Sequence, residues 1–182
     1  YDENKNLIDR LDNIIENDIV SHAYIFEGPG YVDKKSFADS FIKGILCPVN
    51  DGENCGRCGI CSKIDHGNPE DVIDIEASGS SIKDADIVRM QESLKSKPFG
   101  DRHIVVIENS DTMTLRAQNR LLKTLEEPPG KTVIILLSEN MENLTFSQPS
   151  VSAPLSFDIS YKHHSHSFSY ILLSKICIHS IF

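Results

Sequence analysis

Four cysteines fall within fifteen positions, Cys47-x7-Cys55-x2-Cys58-x2-Cys61, and only Cys177 lies apart. Four thiolates at that spacing make a closed tetrahedral zinc site, with no coordination position left for water, so the zinc is expected to be structural. Gly56 and Gly59 each follow a ligand and allow the tight turns that such a knuckle needs. The alternative is a set of unmetallated thiols or a redox pair; two overlapping C-x-x-C units with a further cysteine nearby favour metal. His66 is the nearest substitute ligand. Cys177 and the histidines near the C-terminus carry no expected metal role.

A second stretch, Ala23-Tyr-Ile-Phe-Glu-Gly28-Pro29-Gly30-Tyr31-Val32-Asp33-Lys34-Lys35-Ser36, has the layout of a phosphate-binding loop. In the working loop, G-x-x-x-x-G-K-S/T, backbone amides cradle the phosphates, the lysine reaches the outer ones, and the hydroxyl holds magnesium. With Gly28 as the first glycine, Lys34 takes the lysine position, Asp33 stands where the second glycine belongs, and Lys35 replaces the hydroxyl. The residues left to touch a nucleotide are Gly28, Gly30, Lys34 and Lys35, a vestigial loop. Asp33 adds a repulsive charge: at about 4 Å two unit charges repel by roughly 1 kcal/mol in water and about 4 at an effective dielectric of ~20. Lys34 and Lys35 offset it, so ATP binding is expected to be weak or lost.

Ile104-Val-Val-Ile107-Glu108-Asn109-Ser110-Asp111 ends another apolar run. Nucleotide hydrolases of this layout place there an aspartate for magnesium and a glutamate that activates water. Glu108 and Asp111 are the residues able to form a vestigial metal site, whereas Asn109 is a neutral amide and cannot act as a general base. A polar strand end that caps the core is the structural alternative. Ser138 and Asn140 follow a later strand and read as structural without a base beside them. Arg116, Arg120 and Lys123 share a helix face; a solvated face with pairs such as Lys123 to Glu127 is favoured over contact with a nucleic-acid backbone.

The elements that must carry these residues follow from periodicity. An amphipathic helix is expected near 4 to 17, with Leu7, Leu11, Ile14 and Ile15 on one face. A strand from Ala23 to Glu27 leads into the glycine loop, and Phe37, Phe41, Ile42 and Ile45 mark a helix that ends near Leu46. Val72 to Ile75 is the second strand; Asp84 opens a helix with Ile87, Met90 and Leu94 inward, closed by Pro98. His103 to Ile107 is a third strand, continuously apolar as a strand covered on both faces should be. Thr114 caps a helix carrying Leu121, Leu122 and Leu125, which stops at Pro128-Pro129. Thr132 to Leu137 is the fourth strand. Alternating strands and helices predict an α/β fold with a parallel sheet and helices on both faces.

The 182 residues suit one domain with a real core, and 40% hydrophobic with 25% charged residues fits a soluble globular chain. A net charge of -9 argues against a surface that clings as a whole to nucleic acid. No apolar run reaches the roughly 18 to 20 residues that span a bilayer, and no leader opens the chain, which reads as cytoplasmic. Tyr1 rather than methionine suggests a trimmed start. From Ser147 onward the composition changes to ten serines, four histidines and only three charged residues, with no clear periodicity.

Taken together, several segments resemble a known family, the AAA+ subunits of the bacterial clamp loader. The residues that carry the likeness are Ser21-His-Ala-Tyr-Ile-Phe-Glu-Gly-Pro29, the Cys47 to Cys61 cluster, Leu94-Lys-Ser-Lys-Pro98-Phe99 and Ile104 to Thr114. Most specific is Ala117-Gln-Asn-Arg-Leu-Leu-Lys-Thr-Leu-Glu-Glu-Pro-Pro129, followed by Glu139-Asn-Met-Glu-Asn143. The resemblance implies a RecA-like AAA+ P-loop core over residues 1–144, a zinc module at about 47–62, and an atypical tail over 145–182. It also implies DNA replication as the setting and a hetero-pentameric ring with gamma or tau and delta subunits as partners, acting through the complex on the sliding clamp and primed DNA. The degenerate loop and Asn109 point to the non-hydrolysing, stator-like branch rather than the ATP-hydrolysing gamma or tau motors. Ser150-Val151-Ser152 stands where the family carries Ser-Arg-Cys with its arginine finger, and the tail does not read as the family's lid and collar domains. Truncation, or a change of reading frame near Leu144, is the expectation for both.

Overall fold

The computed structural model describes residues 11–49 and 55–145, and the backbone of 177–180. Its centre is set by two strands, β3 (His103–Ile107) and β4 (Thr132–Ser138), in which every residue is buried. Only a strand covered on both faces can be buried throughout, and the helices supply that cover. Beside β4 runs β1 (Ala23–Glu27) and beside β3 runs β2 (Val72–Ile75), giving the order β2-β3-β4-β1 with all pairs parallel. A fifth strand, β5 (Cys177–Ser180), pairs antiparallel with β1 at the sheet edge.

Side-chain alternation along the strands divides the interior into two layers. On one face, Tyr24, Phe26, Ile104, Val106, Ile135 and Leu137 meet Leu11 and Ile15 from a helical segment over residues 11–16, α1, and Phe37, Phe41 and Ile42 from α2 (Lys34–Leu46). Edge-on aromatic pairs lock this layer, with ring centroids 5.2 Å apart for Phe26 and Phe37 and 5.1 Å for Tyr24 and Phe41. On the other face, Ile25, Val105, Ile107, Ile134 and Leu136 pack against Ile87 and Met90 of α4 (Asp84–Ser93) and Leu121 and Leu125 of α5 (Leu115–Glu126). Between these runs α3 (Gly59–Asp65), a short helix inside the cysteine segment.

The expected strands are present, with β4 one residue longer than its apolar run. The first helix is described over 11–16, and Leu7 lies outside the described residues. Leu122, expected inward, is only half-buried, while Gln118 and Thr124 take buried places on α5. The α3 helix and β5 were not foreseen. Thr114 caps α5 as expected, accepting the Ala117 N–H at 3.3 Å. The arginines of α5 turn towards the start of α4: Arg120 makes paired bonds to Asp84 at 2.5 and 3.0 Å, and Arg116 lies 3.5 Å from the same carboxylate.

Gln118 joins α5 to the chain leaving β4. Its amide donates to the carbonyls of Met113 and Asn143, both at 3.1 Å, and its oxygen accepts from the Thr145 N–H and hydroxyl at 2.8 and 3.0 Å. Buried backbone groups stripped of a partner cost about 1–3 kcal/mol each, so Gln118→Ala is expected to lose about 1–3 kcal/mol after partial rehydration. Urea unfolding of the full chain measures this, and a change below about 0.5 kcal/mol contradicts the role.

Candidate functional site

The parallel pairing of β1 with β4 ends at Glu27 opposite Ser138, and the next amide, Gly28 N–H, donates to Ser138 O at 3.0 Å. The glycine loop therefore leaves the sheet beside the carboxyl ends of β3 and β4, where ligands bind in open parallel sheets. An open cleft of about 330 Å³ lies there. Its walls include three carboxylates, Asp33, Glu108 and Glu139, against two ammonium groups, Lys34 and Lys35. Gly30 sits against the Glu139 carboxylate, which a Cβ at that position would displace.

Each charged residue of the loop already has a partner within the chain. Asp33 caps α2: its Oδ1 accepts the Ser36 N–H at 2.9 Å and its Oδ2 accepts the Ser36 hydroxyl at 2.6 Å. A helix N-terminus is where a phosphate would be held, so this carboxylate takes the anion's place. Burial acts to raise the Asp33 pKa, but the Ser36 hydrogen bonds, Lys35 and Lys34 together outweigh it and hold the carboxyl below its ordinary value. Lys34 folds back on the loop, its Nζ donating to Gly28 O at 2.9 Å and Pro29 O at 3.0 Å. Burial lowers its pKa, with Glu139, Asp111 and Asp33 opposing. Lys35 pairs with Asp39 at 2.7 Å and Asp74 at 3.2 Å.

At the end of β3, Glu108 lines the cleft, and its pKa is pushed up first by burial and then by Glu76. Asn109 follows with a left-handed φ of 49°, a conformation that asparagine tolerates better than most residues. Asp111 is turned to the chain after β4, its Oδ1 accepting the Glu139 N–H at 3.1 Å. Ser138 is buried and accepts the Asn140 N–H at 3.1 Å, while Asn140 caps the next turn by accepting from Glu142 N–H at 2.9 Å. These two are engaged in local backbone turns.

The cysteines converge on one point. Their Sγ atoms lie within 4.8 Å of one another, with Cys47 to Cys55 at 3.5 Å and Cys47 to Cys58 at 4.0 Å. Four sulfurs around a tetrahedral ion with bonds of about 2.3 Å stand about 3.8 Å apart, so the donor set and its spacing fit a metal ion. Cys47 is the C-cap of α2 and Cys58 the N-cap of α3, so two of the four thiols are presented by helix ends. Backbone N–H groups of Cys58 and Cys61 point at the sulfurs of Cys55 and Cys58, each at 3.4 Å. The Arg57 and Cys58 amides pull the Cys55 thiol down to about 6, whereas burial pushes Cys61 up to about 12. Without a cation, like charges so close oppose ionisation of all four thiols. His66 instead turns Nδ1 to Ser62 O at 2.6 Å and lies outside the cluster.

Residues 3–150 match the sequence family described as DNA polymerase III, delta subunit. The chain belongs to that family. The delta' subunit of DNA polymerase III from Bacillus subtilis is 37% identical over 135 residues, 74% of this chain and 41% of that one. Its Pseudomonas aeruginosa counterpart is 33% identical over 130 residues, covering 68% and 39%. The tau subunit of Bacillus subtilis is 35% identical over 130 residues, covering 69% and 23%. In fold, the chain is similar to a DNA polymerase III gamma subunit-related protein from Thermotoga maritima, with a TM-score of 0.51 and 23% identity, covering 81% of this chain and 46% of that one. The chain thus spans about two-fifths of its delta' relatives. No described helix is long and apolar enough to cross a membrane.

In this delta-family chain, sequence reasoning missed Glu139, which lines the cleft, and Asp39 and Asp74, which hold Lys35. Asp39 had a signal, since it lies one helical turn beyond Lys35. Asp74 meets Lys35, and Glu139 the cleft, only through sheet topology. The Asp33 cap yields a pH signature. Removing a capping side chain costs about 1 kcal/mol, so Asp33→Ala is expected to lose roughly that at pH 7. Because the folded pKa lies below the ordinary one, this stability is present above about pH 4 and fades as pH falls through the folded value. Parallel denaturation curves of wild type and Asp33→Ala should converge at low pH; a gap that stays constant contradicts the cap.

Proposed function

We propose that this chain is the ATPase-fold core of a delta-prime-type clamp-loader subunit, and that it serves in DNA replication as a stator that does not itself hydrolyse ATP. In this reading, residues 1–144 form the AAA+ core, and the subunit sits in a hetero-pentameric cytoplasmic ring with gamma or tau and delta subunits. The motor subunits supply the ATP-driven work that opens the sliding clamp and loads it on primed DNA. The observation that carries the reading is the Asp33 carboxylate bound to the first turn of α2, where a phosphate would be held. Hydrolysis needs a cradle of open amides, a hydroxyl for magnesium and a base. Asp33, Lys35 and Asn109 stand in those three places.

Zinc on Cys47, Cys55, Cys58 and Cys61 has a mechanical role in this reading. It would tie the end of α2 to the start of α3, alongside the ion pair of Lys43 with Asp65, and so stiffen the core. Gly28, Gly30, Lys34 and Lys35 are the remnant of the phosphate loop, and Glu108 and Asp111 of its metal site. A gamma- or tau-like motor is the second reading, favoured by the retained Lys34 beside Glu108 in the cleft. It requires Lys34 to leave the Gly28 and Pro29 carbonyls.

Steady-state ATP turnover separates the two. The stator reading expects the full chain to show no turnover above background and Lys34→Ala to behave identically; turnover abolished by Lys34→Ala overturns it. Zinc is read by elemental analysis of protein purified without chelator. About one equivalent is expected in wild type and a marked loss in Cys61→Ser, and less than about half an equivalent in wild type contradicts the site.

A further inference from the structure

The fold family implies magnesium in this cleft, held by the hydroxyl after the loop lysine and an acidic group from a neighbouring strand end. Lys35 stands at the hydroxyl position. Its Nζ does not project into solvent but lies 2.7 Å from Asp39 Oδ1 and 3.2 Å from Asp74 Oδ1. The three side chains are 32%, 28% and 37% exposed, so the group is partly sheltered from water. Asp39 comes from α2 and Asp74 from β2. Two more carboxylates approach from the ends of the neighbouring strands, Glu76 after β2 and Glu108 after β3; both Asp39 and Asp74 act on Glu108, as does Lys35 with the opposite sign.

Two carboxylates from two elements thus hold one ammonium, and Glu108, which feels the same charges, stands beside them at the cleft wall. Carboxylate oxygens are what a hard divalent cation binds. With the ammonium already among them, such an ion would lose two of its ligands to an existing salt bridge and meet a like charge. Burial alone would lower the Lys35 pKa; the Asp39 hydrogen bond and the Asp74 charge outweigh it and keep the amine protonated. The residues present therefore do not fit magnesium.

We propose that the Lys35 ammonium is a built-in counter-ion standing where an active loop would hold its divalent cation, so that this cleft excludes free divalent ions and metal–nucleotide complexes alike. The consequence differs from loss of catalysis alone. Without a cation Asp39 and Asp74 would face each other unpaired; Lys35 offsets their repulsion whether or not a nucleotide is present. The cleft then has no metal-bound and metal-free forms, and its shape does not follow the nucleotide cycle. This deepens the stator reading, but it is tested with metal alone, so its failure leaves that reading standing.

The test titrates Mn2+ against the full, zinc-loaded chain without nucleotide, with free Mn2+ read by electron paramagnetic resonance. Manganese prefers oxygen donors and leaves a thiolate site alone. Wild type is expected to show no site tighter than about 1 mM, the range of weak calcium modules. Lys35→Ser is expected to bind one equivalent at least about tenfold more tightly, and Mn2+ should raise its melting midpoint while leaving that of wild type unchanged. Adding Asp74→Asn to Lys35→Ser should weaken that site again. Lys35→Gln, which keeps reach to Asp39 without the charge, is the second variant if the serine form does not fold. The proposal is overturned if wild type binds an equivalent that Asp74→Asn removes, or if a variant folded by circular dichroism gains no Mn2+ affinity.

Discussion

The parallel register of β1 on β4 is the constraint on which the rest of the molecule depends. Ala23 lies opposite Ile134 and Glu27 opposite Ser138, and a slip by one residue would turn Tyr24 and Phe26 into the layer that holds Ile25. That register brings Gly28 to the end of β4, and with it the loop, Lys34 and the first turn of α2. The second contact of β4, with β3, brings Glu108 and Asn109 to the same end. The cleft is thus a product of three strand ends in one sheet. No loop residue chooses its position alone.

What the loop then does with that position is electrostatic. A nucleotide site works because its donors are free until the ligand arrives. Here the donors are in use: the start of α2 is capped by Asp33, Lys34 is tied to carbonyls of its own loop, and Lys35 is tied to Asp39 and Asp74. Each tie is modest, since exposed ion pairs contribute about 0–1 kcal/mol. Their shared effect is to make the ligand-free loop complete. The cysteine cluster lies at the other end of α2, so both ends of that helix are fixed by polar chemistry while its middle is held by Phe37 and Phe41.

Much of this was legible in the sequence because the fold is written in periodicity. The four parallel strands and the helices between them follow from apolar runs, caps and prolines, and the loop lesions at Asp33 and Lys35 follow from spacing alone. The convergence of the four cysteines was legible from spacing in the same way. Less legible was α3, seven residues that begin at a glycine and carry only Ile60 and Ile64 as large apolar groups, too few for a helical pattern. Leu122 was misplaced because α5 buries Gln118 and Thr124, whose hydrogen bonds to the chain after β4 and to Gln91 compensate their polarity. The partner of Lys35 on β2, Asp74, and β5 beside β1 are matters of strand order that no local pattern encodes. Arg116 and Lys123 are exposed, as a solvated face should be, while Arg120 on the same face also makes a paired inter-helix bond to Asp84 that spacing did not show.

The stator proposal expects the self-bonded loop to bind polyphosphate weakly or not at all. Isothermal titration of MgATP into the full, zinc-loaded chain tests it most directly. The account predicts no saturable binding up to about 1 mM, the weakest affinity such an experiment resolves. Saturable binding in the micromolar range, lost in Lys34→Ala, would contradict it.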